Sequence, residues 1–215
     1  MPIPSRQIGW STQDNLLWQV AKQLEGLGCQ ICTTNDLIGN IVRPSTFGLF
    51  AQTGDSVPVT GTTVETTLIN GGVGTLTVPA NAFSVGDSFR ADMGGVMDAA
   101  NNETIRIRVK TGSIVLLDSG VQTLTSSIAN DIWNLSVDFT IRQIGAAGVA
   151  SIASLGKFTY LKTSNGSFEG FGFNTINNTT FDTTVSNTLD ITVEWGSNSG
   201  LNSIYSDVFI LNKIF

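Results

Sequence analysis

The chain has 215 residues, only 13% of them charged, with a formal net charge of −6 and no histidine. The negative balance works against nucleic-acid phosphates and anionic lipid, and the missing histidine removes the commonest general base and the commonest metal ligand together. No apolar run of about 18 residues is present and the start lacks an apolar signal-like core, so neither a membrane span nor Sec export is expected.

Residues 1–10, MPIPSRQIGW, read as extended, because Pro2 and Pro4 exclude a helix start and push their neighbours towards β or polyproline geometry. Ile3, Ile8 and Trp10 are apolar with nothing local to cover them. With Pro4 and Arg6 they make either a stiff peg for a pocket on another protein or a frayed terminus.

A helix is predicted from about Thr12 to Leu27. Ser11 and Asp14 have the spacing of a capping box at its start. Leu17, Val20, Leu24, Leu27 and Ile31 follow at alternating spacings of 3 and 4, and Trp10 shares their register. That is the seam of a coiled coil. A helix of roughly 15 residues is marginal alone in water, and no second helix of similar strength is evident. Leu17, Val20, Leu24 and Leu27 are therefore expected to meet their own copies. Gly26 and Gly28 end the helix. Cys29 and Cys32 lack the further ligands of a zinc site and the context of a redox pair, which leaves small apolar packing.

Residues 33–45 read as a linker, so residues 1–45 form an attachment and association segment and residues 46–215 a separate domain. Over the latter the hydrophobic period changes to two. Strands are predicted at 47–53, 64–70, 75–78, 88–96, 104–110, 113–118, 132–143, 149–162, 168–173, 189–195 and 207–215, separated by Gly-, Asn- and Asp-rich turns. Trp133, Leu135, Val137, Phe139 and Ile141 alternate with Asn134, Ser136, Asp138, Thr140 and Arg142. Ile105, Ile107 and Val109 alternate with Arg106, Arg108 and Lys110, and Leu189, Ile191, Val193 and Trp195 with Asp190, Thr192 and Glu194. One wet face and one core face per strand mean antiparallel sheets stacked as a sandwich.

Chemistry is scarce. The carboxylates are scattered over polar strand faces and turns, so no enzyme activity is expected, and no cofactor or metal either. Asp98, Asn101 and Asn102 could ligate calcium but equally make a polar turn. The sequence SNGSFEGFGFNTINNTTFDTTVS, residues 164–186, is open to two readings. Rings and amides such as Phe168, Phe171, Asn174 and Asn177 could stack on and hydrogen-bond to a glycan. Alternatively, the phenylalanines fill the core between a strand and its return. The final run, DVFILNKIF, is apolar on both faces, with Val208, Ile210 and Ile214 on one and Phe209, Leu211 and Phe215 on the other. One face would fill a core. The other needs cover from a neighbouring chain, and Phe209, Leu211 and Phe215 are expected to supply that contact.

The opening IPSRQIGWSTQDNLLWQVAKQLE resembles N-terminal segments of structural proteins of tailed phages, chiefly those of Bacteroidetes-type hosts. The ending ITVEWGSNSGLNSIYSDVFILNKIF resembles the last strands of phage fibre and head-fibre domains with a tumour-necrosis-factor-like (TNF-like) jelly roll. The resemblance implies an antiparallel all-β jelly-roll head behind a trimeric N-terminal helix. It further implies a homotrimer on the virion surface, made in the host cytoplasm and joined to the capsid or another virion protein through its N-terminus, with host-surface glycan as a possible outward partner. Nucleic acid and membrane insertion are not expected. Related alternatives are a tail-associated receptor-binding protein and a minor capsid or penton-like jelly-roll protein. From another class, a polysaccharide depolymerase remains an alternative.

Overall fold

The computed structural model describes Gln23 and residues 47–163 and 166–215. The chain divides into two units between Pro44 and Ser45, and every strand described below belongs to the second. The N-terminal residues singled out above, among them Ile3, Pro4, Arg6, Ile8, Trp10, Leu17, Val20, Leu24, Leu27, Cys29 and Cys32, lie outside the described residues.

The described residues of 47–215 are all-β and contain no helix, while Gln23 is helical. The strands are β1 (Phe47–Gln52), β2 (Val59–Thr60), β3 (Thr66–Thr67), β4 (Gly72–Gly74), β5 (Thr77–Val78), β6 (Ser88–Ala99), β7 (Thr104–Thr111), β8 (Ile114–Asp118), β9 (Gln122–Thr123), β10 (Ile128–Gln143), β11 (Ser151–Leu161), β12 (Phe168–Asn178), β13 (Asn187–Trp195) and β14 (Ser203–Lys213). One sheet has the order β12-β11-β10-β6-β14-β1-β4, with β2 also on β14. The other has the order β3-β13-β7-β8, with β5 on β13 and β9 on β7. Every pairing is antiparallel.

The predicted alternation is what the sheets bury. Ile105, Ile107 and Val109 of β7, Ile191 and Val193 of β13, and Leu135, Val137 and Phe139 of β10 join one continuous core. Each fully buried aliphatic or aromatic side chain contributes about 1.5–3 kcal/mol to folding. The two large indoles also satisfy their polar atoms. Trp133 Nε1 donates to the carbonyls of Val96 (3.2 Å) and Tyr205 (3.1 Å), and Trp195 Nε1 donates to that of Val59 (3.0 Å).

Several strands differ from expectation. The predicted strand at 64–70 pairs only over Thr66–Thr67, because Thr62, Val64 and Thr67 take part in local side-chain turns. Strand β12 runs on to Asn178 through the polar Asn174–Asn178, since β11 supplies backbone partners whatever the side chains are. Strand β14 begins at Ser203 rather than at Asp207, and a bulge between Ser206 and Val208 sets Asp207 outside the ladder.

Candidate functional site

On the outer face of the eight-stranded sheet, the pairing register arranges side chains in rows. Asn212, Arg90 and Asp138 lie side by side across β14, β6 and β10. Next come Ile210, Asp92 and Ser136, then Val208, Gly94 and Asn134. Beyond the bulge, Tyr205, Val96 and Ile132 align. The register of β10 on β11 continues that row to Leu161, which pairs with Phe168 of β12. An apolar stripe therefore crosses five strands. Ile132 is 49% exposed, Val208 54% and Phe168 58%, while Tyr205, Val96 and Leu161 are half-buried.

The bulge shapes this face. A Cβ on Gly95 would lie 2.1 Å from the Tyr205 carbonyl oxygen, so only glycine lets β14 approach β6 there. Ser206 is locked beneath it. Its hydroxyl donates to the Leu68 carbonyl (2.6 Å) and its N–H donates to Ser56 Oγ (2.9 Å). Gly94, between Val208 and Asn134, carries no side chain to fill the outer surface. The result is a shallow depression of about 400 Å³ between Val208 and Ile210 on one side and Ile132 and Asn134 on the other. At its margin the Asp207 carboxyl titrates above its ordinary value, through burial and then the nearby Asp55 carboxylate. The polar rows are self-paired, with Arg90 Nε donating to Asp138 Oδ1 (2.8 Å) and Ser136 Oγ to Asp92 Oδ1 (2.7 Å).

The outer face of the six-stranded sheet is built oppositely. Arg108 Nη1 donates to Glu65 Oε2 (2.9 Å) and Glu194 Oε2 (2.7 Å), and its Nε lies 3.6 Å from Asp118 Oδ2. Lys110 Nζ lies 3.0 Å from Glu65 Oε1, Thr192 Oγ1 donates to the same oxygen (2.6 Å), and Arg106 pairs with Asp118 through two nitrogens. The Arg106 hydrogen bond holds the Asp118 carboxyl below its ordinary range despite burial. For Glu65, burial pulls the other way, but the bonds from Thr192 and Lys110 and the charge of Arg108 keep it low. These groups satisfy one another. No cluster of three or more metal-ligating side chains occurs among the described residues.

The predicted site residues are redistributed. Phe209 is 0% exposed and Leu211 is buried, both inside the core of one chain, with Phe209 packed 5.6 Å from the Phe50 ring. Their expected contact with a neighbouring chain is corrected. The face left open on β14 carries Val208 and Ile210, because Ser206 and Phe209 both point inward around the bulge. Phe215 is exposed, with its ring edge over Gly86. The glycan set does not assemble on one face. Phe168 and Asn174 point outward, whereas Phe171 points inward and stacks on Phe158 at 5.2 Å. Asn177 sits at φ 57° and accepts from Arg142 Nη1 (2.8 Å). Phe173 and Phe181 are core residues, as the packing alternative expected.

The residues missed were Val96, Ile132, Leu161 and Tyr205. Ile132 carried a signal, since it occupies the polar parity of β10 beside Asn134 and Ser136. No family model and no curated protein sequence matches this chain.

Proposed function

We propose that this protein is a structural virion protein of a tailed bacteriophage, a homotrimeric fibre or head-decoration protein. In this reading residues 1–10 join the particle, the helix over 12–27 associates the chains, and the sandwich is a TNF-like jelly-roll head displayed outward. The observation that carries it is the open apolar stripe Tyr205–Val96–Ile132–Leu161–Phe168 beside Val208 and Ile210. A stripe of this width on a lone chain would be an aggregation liability. A second and third copy meeting around one axis would bury it.

The strand order supports the jelly-roll reading. The chain leaves β6 for β7 in the other sheet, returns from β9 to β10, crosses again from β12 to β13 and ends on β14 between β6 and β1. In this reading β1-β14-β6-β10 and β3-β13-β7-β8 are the two four-stranded layers, and the β11–β12 hairpin is an addition that widens one of them. The sparse charge and the abundance of Thr, Ser, Asn and Gly suit an uncharged particle surface. Asn174, exposed on β12 away from the stripe, stays available to a host glycan in this reading.

The full chain at micromolar concentration is expected to scatter light with three times its 22.8 kDa chain mass. Deleting residues 2–10 should leave that mass unchanged and abolish incorporation into particles. A monomer, or normal incorporation of the truncated chain, would defeat the reading.

A further inference from the structure

We propose that the head has a small-molecule site, an apolar cavity between the two sheets that takes the alkyl end of a short-chain amphiphile. The cavity measures about 90 Å³ and lies where β6 and β13 begin and β7, β10 and β14 end. Leu76, Phe83, Leu116, Phe139, Phe181 and Leu189 are among its walls. Interiors are otherwise close-packed, with few voids larger than a water molecule.

Its contents follow from its polar neighbours. Thr111 Oγ1 donates to Asn187 Oδ1 (3.1 Å), and Asn187 Nδ2 donates to the carbonyls of Asp182 (2.8 Å) and Val185 (2.9 Å). Thr77 Oγ1 bonds Thr188 Oγ1 (2.8 Å), and Thr75 Oγ1 donates to the Thr77 carbonyl (3.2 Å). The polar side chains of the lining are thus engaged with one another, with Thr188 or with backbone carbonyls. A water inside would need about 2–4 polar partners and would not find them. The space favours hydrocarbon.

Access is one-sided. Phe83, Phe89, Phe139, Ile141, Phe181 and Leu211 are buried and close the inner end. Leu49, Leu76, Val78 and Leu189 are half-buried and Thr75 is exposed, so the opening runs along β5 and the start of β13. The hydroxyls of Thr75, Thr77 and Thr188 border it, which suits a ligand whose polar head stays in water while its tail enters. An engineered apolar cavity of about 150 Å³ holds benzene, and a water-sized unit occupies about 30 Å³. The present volume therefore admits about three or four carbon atoms and no aromatic ring.

That capacity gives a sharp test. The full-length protein, with Leu, Val and Ile methyls labelled, is titrated by NMR with straight-chain alcohols from ethanol to octanol. The expected result is saturable shifts centred on Leu76, Leu116 and Leu189. Affinity should rise about fourfold per methylene as far as butanol and level off beyond it. Filling variants Leu116→Phe and Leu189→Phe should each abolish these shifts, with the dispersion of distant methyls such as Ile107 and Val137 reporting that the fold persists. Should one variant unfold, the other and the chain-length profile decide. Affinity that climbs steadily through octanol with shifts at Ile132 and Val208, or no saturable shift at all, would overturn the proposal.

Discussion

The outer faces of the two sheets belong to one domain and solve the problem of meeting water in opposite ways. On the six-stranded sheet, Arg106, Arg108 and Lys110 of β7 face Glu65, Asp118 and Glu194, so each charge has a partner on its own chain. On the eight-stranded sheet, the central rows carry Val96, Ile132, Val208 and Ile210 around Gly94. The first face is complete as it stands. The second has no cover among the described residues, and the contrast shows that overall composition says little about where a surface is left open. The charges of the eight-stranded face, among them Arg90, Asp92 and Asp138, lie to one side of its apolar rows, whereas those of the six-stranded face meet at its centre.

The largest expected effect separates the two faces by assembly. The double change Ile132→Glu and Val208→Glu places like charges at the open face, where each copy would have to desolvate them. In a chain that starts at residue 46, without the helix expected over 12–27, light scattering should report single chains, while the midpoint of thermal unfolding stays within a few degrees of the parent's. Arg108→Met should do the reverse. It leaves Glu65 and Glu194 facing each other without their shared cation, at about 2 kcal/mol, or roughly 4–8 °C in melting temperature for a domain of this size. The mass in solution should not change. If Arg108→Met dissociates the assembly and the double glutamate variant does not, the assignment of the two faces is reversed.

A smaller effect follows from pH. The folded-state values of Asp118 and Glu65 lie below their unfolded ones, so both favour the fold above about pH 4 and lose that contribution as pH falls through the depressed values. Asp207 has the opposite sign. Its folded value is raised, so it costs nothing below its unfolded value and weakens the fold as pH rises through the raised one. Asp207→Asn should therefore melt slightly higher than the parent at pH 7 and equal to it below about pH 3.5. Thermal melts across pH 3–8 check both trends. A lower melting point for Asp207→Asn at pH 7 would mean that its carboxylate has a favourable partner.

The smallest expected change concerns Ser154 of β11, whose hydroxyl is buried with no hydrogen-bond partner among the described residues. Ser154→Ala removes an unpaired polar atom and should stabilise the head by about 1 kcal/mol, measured by denaturant unfolding. It touches neither outer face, so a change in assembly would point to coupling through the core.

Alternation is a local property, and what depends on it was legible in the chain alone. The strands at 104–110, 132–143 and 189–195, their inward faces, the all-β class and the turns between them follow from a period of two, because successive side chains on a strand must point to opposite sides. Ile105, Ile107, Val109, Trp133 and Trp195 are buried where that rule put them. What the rule leaves open is which neighbour meets which face. DVFILNKIF is apolar on both sides, so its sequence is symmetric with respect to the choice. Only the bulge at Asp207, held by Gly95 on one strand and Ser56 and Leu68 from distant turns, turns Phe209 inward and leaves Val208 outside. Phe168 and Phe171 look alike in sequence and part to opposite faces because they are an odd number of residues apart on β12. The stripe from Tyr205 to Phe168 draws its five members from five strands, and the cavity draws its walls from both sheets. Neither exists until pairing over long sequence separations sets the register, which is why tertiary structure alone decided them.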